Sequence, residues 1–207
     1  MEKLNLSKLY KAYYTAKTQP ELVETEQAQY LSITGQGDPS GEDFASNVGA
    51  LYAVAYTIKF MCKAEDKDFV VAKLEGLWWF DEALYANLSI AETQAKVPRG
   101  QWSYRLLIRM PEYVTDVQVK AAARAVLQKK GIALAGETEL FMMPAGKAVQ
   151  MLHTGPYANE PETLALIKAF SDDHGFKRNG PHHEIYLSDV NKTAPEKLRT
   201  ILREPVI

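Results

Sequence analysis

One carboxylate, Glu184, stands among apolar neighbours in the stretch HHEIYLSD, residues 182–189. The stretch reads as a strand, and a strand sends alternate side chains to opposite faces. Ile185 and Leu187 then share one face, and His182, Glu184, Tyr186 and Ser188 share the other. If the first face covers the core, the second presents an acid beside a phenol. A carboxylate in a partly apolar pocket is desolvated, which raises its basicity. Glu184 can then act as a general base on a water, or stabilise positive charge developing on a ligand. Tyr104 is its candidate partner, because a phenol can donate to, or order, a water or a ligand oxygen. The ordinary alternative is a strand glutamate paired with Lys or Arg on a solvated face.

Four aromatic residues, Tyr56, Trp78, Tyr104 and Tyr157, can form a slot for flat or cationic ligands, since ring faces attract cations. Core packing is the competing reading of all four. Trp79 and Trp102 read as core. His153, in HTG, is a candidate polar pocket residue, with a structural hydrogen bond as its alternative. His182 and His183 are adjacent on a strand and point apart, so they cannot hold one ion together. His153 and His174 have no carboxylate or thiol at a recognised ligand spacing, so no metal site and no cofactor are expected. There is no GxSxG elbow and no phosphate loop. Gly35, Gly37 and Gly41 read as turn chemistry.

The elements that must carry these residues follow from periodicity and breaker signals. Residues 1–28 read as a polar arm, extended or partly helical. QYLSITG is a strand. Ser40 with Asp43 resembles a capping box, and a long helix follows, with Phe44, Val48, Leu51, Ala55, Ile58 and Cys62 on one stripe. FVVAKLEGLWW is a second strand, in which Gly76 marks a bulge or a close approach by another group. DEALYANLSIAETQAKVPRG reads as a loop with helical turns. WSYRLLIRM is a strand. Thr115 with Gln118 caps a helix that runs to Lys130, before Gly131. TELFMMPAGKAVQMLHTG reads as a hairpin about Pro-Ala-Gly. A helix opens at Asn159, Pro161 and Glu162 and ends before Gly175. After HHEIYLSD, a short terminal helix is expected from Thr193, Pro195 and Glu196, containing Leu198, Ile201 and Leu202.

A weak repeat runs through this order. LSITGQGDPSGEDF and VQMLHTGPYANEPET are each a strand ending in Thr-Gly, a polar loop and a helix. Duplicated strand-helix-strand units predict an α+β fold: a pseudo-two-fold antiparallel sheet, with helices on one face and a ligand groove on the other. The division expected is an arm over 1–28 and one domain over 29–207, in halves of about 29–112 and 113–207.

Composition bounds the function. The chain has 207 residues, 46% of them hydrophobic, enough for one sizeable core. Its net charge of −2, with Lys and Arg spread along the chain, gives no footprint for nucleic acid. Nowhere do about 18 apolar residues run together, so no membrane span is expected. A single cysteine, Cys62, and no long apolar leader point to the cytoplasm.

The segments HTGPY, HHEIYLSD and APEKLRTILREPV resemble the GyrI-like small-molecule-binding family. LEGLWW, GEDFASNVGALYAVAYTIKF and YRLLIRMPEYV extend the resemblance to a stand-alone branch that includes the cyclopropanoid cyclopropyl hydrolases. It covers Leu22 to Val206. The resemblance implies a duplicated fold with a central groove for bulky, planar, aromatic or cationic compounds. It places the family's buried glutamate at Glu184 and its aromatic wall at Tyr56, Trp78 and Tyr104, with Tyr157 beside them. In hydrolase members the glutamate and the aromatic residues open a strained cyclopropane. The expectation is therefore a cytoplasmic hydrolase of cyclopropanoid genotoxic compounds, monomeric or homodimeric. A non-catalytic binder or sensor is the alternative.

Overall fold

The structure is a computed structural model that describes residues 3–81, 83–85, 88, 92 and 96–207. The elements run β1 (Leu4–Asn5), α1 (Leu6–Leu9), β2 (Glu21–Thr25), β3 (Ala28–Gln36), α2 (Glu42–Ala64), β4 (Phe69–Val70), β5 (Leu74–Trp79), β6 (Ser103–Arg109), α3 (Asp116–Lys130), β7 (Glu139–Met143), β8 (Gly146–Thr154), α4 (Glu160–Asp173), β9 (His182–Tyr186) and β10 (Arg199–Val206). Nine of the twenty residues of the loop expected from Asp81 to Gly100 lie outside the described residues.

One eight-stranded antiparallel sheet, in the order β2-β8-β10-β9-β5-β6-β3-β7, organises the chain. Its middle shows the duplication. The unit β3-α2-β5-β6 mirrors β8-α4-β9-β10, and the two meet where β5 pairs with β9. Gly76 lies opposite Glu184 in that seam, and Trp78 opposite His182.

The sheet is curled. Its end strands are joined to the far end of the order by two-residue links, Glu26–Gln27 between β2 and β3, and Pro144–Ala145 between β7 and β8. Two residues span only about 7 Å, so the two edges must approach each other. This corrects the hairpin expected over TELFMMPAGKAVQMLHTG. Both strands form, but β7 pairs with β3 while β8 pairs with β2 and β10. The turn signal marks a crossing from one edge to the other.

The terminal helix is also corrected. The Pro195 signal produces a single 3-10 turn, Pro195–Lys197, and Arg199–Val206 is then an inner strand between β8 and β9. Both of its faces are covered, so Ile201 and Leu202 are equally buried and alternation is lost.

The helices obey their signals more closely. Thr115 and Gln118 form the reciprocal capping box of α3, and Gly131 closes it in the left-handed region at φ 68°. At α2 the Ser40–Asp43 box does not form. Gly41 is the cap, and Ser40 bonds Asp38 instead. Ala50, Leu51, Val54, Ala55, Ile58 and Cys62 of α2 pack on Leu31, Ile33, Leu106 and Ile108 of the sheet. Leu164 and Ile167 of α4 pack on Val149, Met151 and Leu202.

Both helices therefore cover the face that carries Glu184, and they cover it on either side of the seam. The groove was expected on the face opposite the helices. The side chains expected to line it share the helix face and gather where the two duplicated units meet.

The opposite face is closed by the N-terminal residues. The arm expected over 1–28 includes the short α1 and the extended β2, which joins the sheet, and Tyr10, Tyr13 and Tyr14 lie on its far side. There Glu75 is fully buried. It accepts from Tyr13 Oη at 2.6 Å, from Tyr14 Oη at 3.3 Å and from His183 Nε2 at 2.9 Å. Tyr13 also bonds Tyr30, 2.8 Å between oxygens. Arg109 stacks on Tyr10 at 3.6 Å, and Arg203 on Tyr13 at 4.4 Å, placing positive charge around the carboxylate. Burial and the Glu75 charge push the Tyr13 and Tyr14 phenols well up, so they remain donors. Burial pushes His183 down despite Glu75, so it serves as a neutral donor.

Candidate active site

The strand register builds the site from four side chains. On β9, alternation aims His182, Glu184 and Tyr186 at the helix face. On β5 it aims Trp78 there, next to Gly76. A Cβ on Gly76 would stand 2.8 Å from Trp78 Nε1 and 3.1 Å from Tyr186 Oη. The missing side chain thus lets the indole lie across the seam. Trp78 Nε1–H donates to Tyr186 Oη at 3.1 Å, and Glu184 stands two residues along on the same face of β9. Burial and the nearby Glu184 charge hold the Tyr186 phenol well up, so it stays protonated.

Glu184 keeps 12% of its side chain exposed, whereas His182 beneath it keeps 8%. His182 Nε2 lies 3.2 Å from Glu184 Oε1, and its Nδ1 meets Glu204 Oε1. Both ring nitrogens face carboxylate oxygens, which only an imidazolium can satisfy. Burial works against that charge, but Glu204 and Glu184 outweigh it and raise the pKa to about 10. The carboxylate was expected to be desolvated or paired with Lys or Arg. It is shielded, and its cation is a neighbouring histidine.

The aromatic wall is layered. Phe44 stacks on Trp78 with centroids 5.7 Å apart, and Tyr104 lies 5.5 Å from Trp78 and 5.0 Å from Phe44. Tyr104 is fully buried, and its oxygen accepts from Asn47 Nδ2 at 2.9 Å. Its ring covers Gly35, where a Cβ would come within 2.5 Å of it. Tyr104 thus meets the Glu184 group only through Trp78 in the contacts of this structure. Tyr157 stands edge-on to Tyr186 at 6.1 Å. Burial and the charges of Glu184 and Glu160 push its phenol up to about 12.

His153 is buried behind Tyr157. Its Nε2 donates to the Pro156 carbonyl at 3.2 Å, and its Nδ1 pairs with Thr163 Oγ1 at 2.9 Å. Both nitrogens are engaged, and they tie the HTGPY turn to α4. Tyr56 lies on the outer side of α2, 47% exposed and paired with Tyr52 at 6.4 Å. The register settles the tryptophan doublet: Trp78 joins Glu184, and Trp79 faces the other way. Trp79 lines an open depression of about 490 Å³ with Gln36, Phe80, Gln101 and Ser103. That depression lies on the sheet face away from Glu184.

Sequence reasoning missed three contributors. Tyr186 was seen only as a neighbour of Glu184, and its same-face spacing was the available signal. Phe44 was read as core, although it forms the back of the Trp78 layer. Glu204 follows the residues expected to be helical, so no strand alternation placed it on the face of His182.

Chemically, the seam offers a shielded carboxylate with a fixed cation, a phenol donor and flat apolar walls. That set suits binding of a planar molecule and proton transfer at its edge.

Among proteins of known structure, an uncharacterized conserved protein from Listeria innocua superposes with a TM-score of 0.87 and 33% identity, over 99% of this chain and 100% of that one. A protein from the same organism described as a hydrolase gives 0.84 and 34%, over 99% and 100%. The C-terminal domain of EcmrR gives 0.57 at 14% identity, over 91% and 97%, which is likeness of fold alone. No curated protein matches the sequence. The profile of the GyrI-like small molecule binding domain matches residues 18–206, and the chain belongs to that family.

Proposed function

We propose that this protein is a cytoplasmic hydrolase that opens the cyclopropane ring of bulky, planar, genotoxic small molecules by adding water. The observation that carries the reading is the shielded Glu184 carboxylate at the seam, held by His182 and sharing a strand face with Tyr186, whose hydroxyl accepts from Trp78. The likeness at 34% identity to a Listeria hydrolase supports enzymatic chemistry.

The substrate class is a cyclopropane conjugated to a ring carbonyl. The flat ring system lies against Trp78 and Tyr157. Glu184 removes a proton from a water, whose oxygen bonds to the cyclopropane methylene. The methylene–ring bond breaks, and its electron pair moves into the conjugated carbonyl. The resulting oxyanion takes up a proton, and Glu184 returns its own to solvent. Tyr186 stands on the same strand face as a protonated phenol. Tyr104 acts through Trp78, whose position it sets.

The test is incubation with a cyclopropyl-cyclohexadienone alkylator, following by mass spectrometry the product that has gained one water. Several turnovers per chain are expected. Glu184→Gln should lower the rate by ~100- to 10,000-fold, the range for loss of a general base. Intact bound ligand, or a single covalent adduct per chain, would instead identify a binder or a sacrificial trap for aromatic or cationic compounds.

A further inference from the structure

We infer that His182, held by Glu204, is the positioning residue of the site: its imidazolium fixes one Glu184 oxygen and with it the orientation of the carboxylate. The inference rests on the hydrolase reading and deepens it.

The geometry carries it. His182 and Glu184 stand on the same side of β9, two residues apart, and Glu204 comes from the same face of the adjacent β10, two residues beyond Leu202, which pairs with Glu184. Nε2 takes Glu184 Oε1 and Nδ1 takes Glu204 Oε1, so the ring bridges two carboxylates in a fixed orientation. All three side chains are shielded, with exposures of 8%, 12% and 5% for His182, Glu184 and Glu204. A glutamate alone on a strand would sample several rotamers, and a base must hold its geometry to within fractions of an ångström. The bridge removes that freedom. It also leaves His182 without a free ring nitrogen, so it does not act on the substrate.

The charged groups around the ring come from each neighbouring strand. Glu184 and His183 stand on its own strand and Glu204 on β10. Arg178 lies 3.8 Å from the second Glu204 oxygen. Glu204 and Glu184 both favour the His182 charge against the cost of burial. Glu204 is the group whose removal should be felt most, because it alone meets Nδ1.

Glu204→Gln keeps the size and a hydrogen-bonding group at Nδ1 but removes the charge. With the cyclopropyl-cyclohexadienone probe, kcat should fall roughly 10- to 100-fold, part of a general base's worth, with KM little changed. The alkaline limb of the kcat profile should move to lower pH. His182→Gln should lower kcat similarly and remove that limb. An unchanged kcat and pH profile in Glu204→Gln would overturn the inference.

A second measurement is independent of turnover. The His182 imidazole is titrated by NMR in the wild type and in Glu204→Gln. Loss of its proton at distinctly lower pH in the variant supports the bridge, and an unchanged titration overturns it. If the wild type turns over no probe, the hydrolase reading falls, and the NMR comparison still decides whether Glu204 holds the imidazolium.

Discussion

Gly76 shows how much of the site depends on an absent side chain. The indole of Trp78 and the phenol of Tyr186 occupy the space that a Cβ would fill, at 2.8 and 3.1 Å. Gly76→Ala must therefore displace the indole, breaking the Trp78–Tyr186 bond, and overpacking of this kind costs about 1–3 kcal/mol. Gly49, in α2 with open space beside it, is the control. Gly49→Ala should stabilise the chain by about 0.5–1 kcal/mol through helix propensity. Urea unfolding separates the two, and tryptophan fluorescence should shift only in Gly76→Ala. Equal, small effects at both positions would mean that the seam tolerates a methyl group. At this scale the sequence was informative wherever one strand's alternation sufficed, as for Glu184 and the opposed histidines. It was silent on Glu75. A glutamate beside a glycine in LEGLWW looks solvent-facing, and its donors come from residues 13, 14 and 183, far apart in the chain. The usable hint was a tyrosine-rich start, LYKAYYTAK, too aromatic for a solvated arm.

Among the elements, the N-terminal segment had the least visible role. It is held by the Leu152 N–H donating to the Lys17 carbonyl at 2.7 Å and by Gln150 Nε2 donating to the Thr15 carbonyl at 3.1 Å. Its tyrosines supply two of the three donors on Glu75. Tyr13→Phe removes a charged hydrogen bond and keeps the ring that stacks on Arg203, so a loss of about 1.5–3 kcal/mol is expected. Glu75→Ala leaves His183 and two phenols without their acceptor and the nearby arginines without a counter-charge, with a loss of roughly 3–5 kcal/mol. Denaturant midpoints at neutral pH measure both, and equal losses would show that Tyr13 alone anchors the segment. The helices were legible because each covers the sheet with one stripe and meets water on its other side. β10 was not, since an inner strand covered on both faces gives neither a period of two nor one of 3.6. The β7–β8 link misled for a related reason. A Pro-containing turn signals reversal, and only the curled sheet decides which strand lies next.

For the whole molecule, the two sheet faces make opposite demands on proton binding. His182 on the helix face keeps its proton to about 10, against an ordinary value of 6.5. Between those values the folded chain holds a proton that the unfolded chain has released. Its contribution is therefore complete below about pH 6.5 and is lost as pH rises towards 10. His183 on the other face is pushed below 6.5 by burial. Below that value the unfolded chain takes up a proton that folded His183 refuses, so its contribution is present above about pH 6.5 and is lost as pH falls. Adjacent residues on one strand thus bound stability from both sides, with a maximum expected near pH 6–7. Denaturant unfolding from about pH 5 to about pH 10 tests this in the wild type, His182→Gln and His183→Gln. The alkaline fall should flatten in the first variant and the acid fall in the second. If His182→Gln keeps the full alkaline slope, the imidazolium bridge is not what the high-pH limb reports. If the two variants exchange effects, the faces assigned to the histidines are reversed, and with them the face on which Glu184 works.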